Sequence, residues 1–135
     1  MRPGGTAKDL QETLARLLAD AAVAEYAEQY DQLSLPPVFF SRFPPKPDTA
    51  ILITVYDRLP VRNPNLEGCR VWKVQARCRA RVSAAPLAEA VEDALVGDQK
   101  APNIAHVSEP TRLPLGPDQT GRDELSLNFT IVTNH

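Results

Sequence analysis

The sequence predicts an α+β domain, with two helices packed on one face of a mixed, mostly antiparallel sheet of about four to five strands. Three observations predict it. Apolar residues recur at helical spacing near the start of the chain and again from Pro86 to Val96. Apolar and polar residues alternate strictly from Arg70 to Val82 and from Glu124 to Ile131. Two of the connections between strands are hairpin-like, which makes the sheet antiparallel or mixed.

Thr6 to about Ala24 reads as the first helix. Thr6 suits the N-cap, and Asp9 three residues on completes a box-like start. Leu10, Leu14, Leu17, Leu18 and Ala21 make one apolar stripe, with Lys8, Gln11, Glu12 and Arg16 opposite. Helical spacing fails from Tyr26 to Asp48. There Pro36, Pro37, Pro44, Pro45 and Pro47 bracket VFFSRF, an edge strand by its prolines, whose missing donors cost least at a sheet edge. Ala50 to Tyr56 (AILITVY) is apolar and β-branched, a central strand covered on both faces. Asp57 to Arg70, with Pro60, Asn63, Pro64, Asn65 and Gly68, reads as a long exposed loop.

In the strand from Arg70, Trp72, Val74, Ala76, Cys78, Ala80 and Val82 face the core, and Lys73, Gln75, Arg77, Arg79 and Arg81 face away. Pro86 suits the first turn of the second helix, Leu87, Val91 and Leu95 its buried stripe, and Gly97 a left-handed stop. Ile104 to Leu113 is a strand interrupted by Pro110. In the last strand Leu125, Leu127, Phe129 and Ile131 face the core. Residues 1–135 form a single domain, of which 1–5 read as a flexible N-terminus.

The chain has 135 residues, 43% apolar and 24% charged, as expected of one folded domain. A net charge of -2 argues against a dedicated nucleic-acid binder, whose domains carry a basic excess. Cys69 and Cys78, if on one strand, lie roughly 30 Å apart at about 3.3 Å per residue and cannot pair. Two lone thiols suit a reducing compartment and make no zinc site by themselves. The N-terminus lacks the apolar run of a signal peptide, and no stretch reaches the length of a membrane span, so the expected site of synthesis and assembly is the cytoplasm.

Candidate chemistry is sparse. Asp118, Gly121, Arg122, Asp123 and Glu124 set carboxylates beside an arginine, the material of an acid/base site, but Gly116, Pro117, Asp118 and Gly121 are also what a tight reversal needs. The turn is the better reading. Arg77, Arg79 and Arg81 make a like-charged stripe that is either a solvated sheet face or a surface for phosphates, an acidic partner or a neighbouring subunit. His106, Ser108 and Glu109 lack the surroundings of a nucleophile elbow and read as ordinary strand residues. The sequence shows no glycine-rich phosphate loop or metal-ligand cluster, and no catalytic, cofactor-binding or metal-binding residue is assigned.

Three segments carry a resemblance. FPPKPDTAILITVYD (Phe43 to Asp57) resembles the Pro-x-x-Pro-Asp segment and following apolar strand of the tail terminator (minor capsid) proteins of long-tailed bacteriophages. VQARCRARVSAAPLAEAVEDAL, from Val74, is similar to that family's strand-to-helix crossover, and LGPDQTGRDELSLNF (Leu115 to Phe129) to its closing motif. The matches keep family order over about two thirds of the chain. Tyr26 to Pro37 does not align, and Asp57 to Arg70 is richer in proline and basic residues than the family pattern.

The resemblance implies a virion protein of the head-tail junction, without enzymatic activity. It would form a homo-oligomeric ring, by family precedent a hexamer, that caps the tail tube and ends its polymerisation. Its partners would be the tail tube protein and the head-completion or connector protein, with DNA crossing the channel without sequence-specific binding. Arg77, Arg79, Arg81, Asp118, Arg122 and Glu124 are the expected subunit or partner contacts. The alternatives from the residues are a small ligand-binding domain or enzyme using the Asp118–Glu124 loop, or another head-tail adaptor.

Overall fold

A computed structural model describes residues 6–26, 35–59 and 68–134. The elements in chain order are α1 (Ala7–Asp20), β1 (Val38–Phe39), β2 (Ala50–Leu59), β3 (Cys69–Ala80), α2 (Ala85–Leu95), β4 (Gly97–Ala101), β5 (Ile104–Val107), β6 (Thr111–Pro117) and β7 (Asp123–Asn134). The fold is α+β, as expected, but the described residues form a sheet of seven strands rather than four to five. Its order is β1-β2-β3-β7-β5-β4, with β6 also paired to β7. Only β1 and β2 run parallel; every other pair is antiparallel.

Helix α1 begins as its sequence dictates: Thr6 is extended and its Oγ1 accepts from the Asp9 backbone N–H. It ends at Asp20, short of Ala24, and Ala21 is exposed rather than part of the stripe. Leu10, Leu14 and Leu18 are buried with Ile51, Ile53, Val74, Leu127, Phe129 and Ile131 in one core. Gln11 does not face solvent as its polarity suggested. Its Nε2 donates to the Ile53 carbonyl at 2.8 Å and the Phe40 carbonyl at 3.3 Å, tying α1 to β2 and the turn after β1.

Helix α2 carries Pro86 in its first turn and buries Ala88, Val91 and Leu95. Its N-cap, Ala84, has no capping side chain; instead the Ala84 N–H donates to Asp123 Oδ2 at 2.7 Å, across from the start of β7. Gly97 does have positive φ (+128°), but it opens β4 rather than closing α2, whose C-cap is the extended Val96. Arg112 of β6 pairs with Glu92 of α2 at 3.1 Å, so β6 lies beside the helical layer.

VFFSRF contributes only the two residues of β1, at a sheet edge as expected. In β2, Ala50 to Ile53 are all buried, which matches a strand covered on both faces at its start. The expected loop Asp57–Arg70 is shorter: Asp57 to Leu59 belong to β2, Cys69 and Arg70 to β3, and residues 60–67 lie outside the described residues, as do 1–5. The single strand expected from Ile104 to Leu113 is two, β5 and β6, separated at Pro110. The last strand is longer than its alternation suggested, reaching Asn134.

The alternation of β3 holds from Trp72 to Cys78 and then breaks at Arg79, which is buried. Cys69 and Cys78 are both free on this strand. Burial pushes the Cys78 thiol up to about 12, which leaves it inert at neutral pH. No helix among the described residues is long and apolar enough to cross a membrane.

Candidate functional site

The three arginines of the expected stripe stand in three different environments. Arg79 stands opposite Ala50 and Glu124 in the sheet, on the face without helices. The chain from Phe43 to Asp48 folds over this position as a strap. Its prolines have no N–H to offer a ladder, so its carbonyls need donors from elsewhere. Arg79 supplies them: Nε donates to the Asp48 carbonyl at 3.0 Å, and Nη2 to those of Pro44 at 2.9 Å and Pro47 at 2.7 Å. Its guanidinium also lies 4.3 Å from the centroid of the Phe43 ring. With 2% of its surface exposed, Arg79 is a staple beneath the strap. Desolvation and the nearby Arg122 lower its pKa, while Asp118, Glu124 and Asp48 oppose that shift. An arginine stays charged under such a shift.

The other two arginines differ. Arg77 Nε lies 2.7 Å from Glu124 Oε1, yet neither atom has a partner of hydrogen-bond geometry, so the contact is Coulombic. Arg81 is exposed and borders a groove of about 450 Å³ lined by Leu35, Pro36, Pro37, Pro47, Asp48 and Thr49. A second groove, of about 500 Å³, lies on the strap's other flank between Phe39, Arg42, Phe43, Pro44 and Pro45.

The closing loop reaches the same strap. Asp118 Oδ1 accepts from Thr120 N, Thr120 Oγ1 and Arg122 N, each at 2.9 Å, and Oδ2 accepts from Arg122 Nε at 2.8 Å. Gly121, at φ +87°, lets the chain reverse between them. Arg122 then extends Nη1 to the Pro45 carbonyl and, at 3.6 Å, to Asp48 Oδ1. Arg122 therefore pairs within its own subunit.

Desolvation raises the Asp118 pKa, but the hydrogen bonds from Arg122 and Thr120 outweigh it and hold the carboxyl at about 2 instead of 3.8. A group of that pKa, with its lone pairs engaged, is unsuited to proton transfer near neutrality. The turn reading of this loop is thus the one its geometry supports. The folded pKa lies below the unfolded one, so Asp118 contributes stability above about pH 4 that is lost as pH falls towards 2. Replacing it by Asn is expected to lower the thermal midpoint at pH 7 and to flatten its decline between pH 4 and 2. Parallel melting curves for the two proteins across that range would disprove the assignment.

His106 and Ser108 are not brought together: the ring Nδ1 meets Asp98 Oδ1, and Ser108 Oγ accepts from Thr130 N. Among the described residues no three His, Cys, Asp or Glu side chains gather to hold a metal ion. Sequence reasoning passed over Phe43, Asp48 and Gln11 as site-building residues, and took Asp123 for part of the closing loop rather than the acceptor of the Ala84 N–H. The signal for the first two was the run of prolines ending in an aspartate, carbonyls without donors beside a fixed acceptor.

No protein-family model matches the chain, and no curated protein sequence matches it.

Proposed function

We propose that this chain is a ring-forming assembly protein of the phage tail-terminator type, with a structural rather than catalytic role at the head-tail junction. One observation carries the proposal. The three segments that resemble that family, far apart in sequence, meet at one place: the strap from Phe43 to Asp48, Arg79 of β3, and Asp118 and Arg122 of the closing loop. A turn kept only for local reasons has no need of a distant partner. Segments that lock one another present a single rigid surface, which is what a subunit offers to neighbours.

In this reading the ring, by analogy a hexamer, caps the tail tube and stops its growth. It offers the head-completion protein a docking surface, and DNA crosses its channel without sequence-specific contacts. Arg81, exposed beside the strap, is the arginine placed for an outside partner; Arg79 and Arg122 act through the strap's shape.

The test is the mass of the purified protein by light scattering coupled to size exclusion, alone and mixed with tail-tube protein. A closed ring of about six subunits, alone or on contact with tube, is the expected result. A monomer indifferent to tube would refute the proposal.

A further inference from the structure

We infer that copies of this chain associate head to tail through a leucine knob on β6 and an apolar groove beside β1, at opposite edges of one sheet face. The inference rests on the ring reading and names the surfaces that would close the ring.

The knob comes from strand pattern. Every residue of β6 except Gly116 is exposed, and among the described residues β6 pairs only with β7. Leu113 stands opposite Ser126, and Leu115 sits at the register irregularity between Pro114 and Gly116; they are 51% and 39% exposed, two of the four exposed large apolar side chains among the described residues. Leucines on an unpartnered edge strand are a liability that a folded protein covers.

The groove comes from the strap. Phe39, Phe43, Pro44 and Pro45 line it, and Arg42 is exposed at its rim. Val38 points into the core, so its neighbour Phe39 points to the other face.

Register places the two features in one lateral row. Phe39 pairs with Leu52, Leu52 with Arg77, Arg77 with Ser126, and Ser126 with Leu113. Knob and groove thus sit at the two ends of a row about 19 Å wide, on the same face. A patch at one edge that fits a different patch at the other gives a heterologous contact, the kind that closes into rings.

Direction and charge agree with this placement. β1 runs parallel to β2, and the antiparallel steps through β3 and β7 leave β6 running opposite to β1. In a copy added edge to edge, the residues before β6 therefore meet the residues after β1. Those are the exposed Glu109 and the exposed Arg42. Glu25 bridges Pro37 on the outer side of β1, so the seam is made by side chains on the face rather than by a continued ladder.

The experiment compares three proteins in light scattering, with tube protein if the ring needs it. L113K/L115K and Phe39→Glu should each remain monomeric with circular dichroism like the parent, the dissociation constant raised about a hundredfold or more. Mixing the two should give a heterodimer and nothing larger, because only one intact knob and one intact groove remain. If Phe39→Glu does not fold, Arg42→Glu replaces it; it should weaken association about tenfold, and Glu109→Arg in the same chain should restore it. A ring that survives L113K/L115K, or a mixture that stays monomeric, overturns the inference while the ring reading stands. A parent protein that never oligomerises overturns both.

Discussion

Replacing Arg79 by Met is expected to cost about 3 kcal/mol and lower the thermal midpoint by about 10 °C. The side chain is 2% exposed and donates to the carbonyls of Asp48, Pro44 and Pro47. Met fills much of the volume but leaves Pro44, Pro47 and Asp48 carbonyls short of donors and Phe43 without its cation. Lysine is expected to recover little, because an ammonium lacks the planar fork that spans the strap. The strap should also open, so tryptic cleavage after the exposed Arg42 should accelerate well before global unfolding. An unchanged midpoint with unchanged cleavage would show that the strap holds without its staple.

The second large effect is expected in the core. Phe129 is the largest fully buried side chain among the described residues, facing Val74 across the β3–β7 ladder and sharing the core with the leucines of α1. Phe129→Ala removes a ring that both layers pack against and should cost about 3–5 kcal/mol. That is a large part of the roughly 5–15 kcal/mol available to a domain of ordinary stability, so a shift in denaturant midpoint at unchanged slope is the expected readout. A loss below about 1 kcal/mol would mean that the two layers collapse onto the vacated space.

The elements legible in the sequence were those whose own residues decide them. The Thr6 cap and the leucines of α1, the proline of α2 with Val91 and Leu95 of its stripe, and the alternation of β3 from Trp72 to Cys78 and of β7 are local signals that appear where they were expected. Val82, expected on the core face, lies past the end of β3 and is 87% exposed, and Leu87 is only half-buried. What escaped was decided by partners. Gly97–Ala101 (GDQKA) has no strand-forming residue, yet it is β4 because β5 lies alongside. Pro110 ends one strand and permits another, which composition alone reads as a single flawed one. Period two placed Arg79 on the far face correctly, but could not foresee that this face is roofed by carbonyls at that point. The carboxylates and arginine of the closing loop were legible as a turn, while the reach of Arg122 to Pro45 depends on a segment 77 residues away.

One feature of the sheet bears on how the protein is made. β7 follows every other strand in the chain, yet it is the seam: β3 lies along one side, and β5 and β6 divide the other. While the ribosome is still short of Asp123, no strand pairing joins the β1–β3 half to the β4–β6 portion, and α2 lacks its cap. The sheet can therefore close only after β7 has been made. At about 5–20 residues per second, β3 and the helices spend seconds with their apolar sides uncovered, in the period when holdases bind and copies can cross-pair.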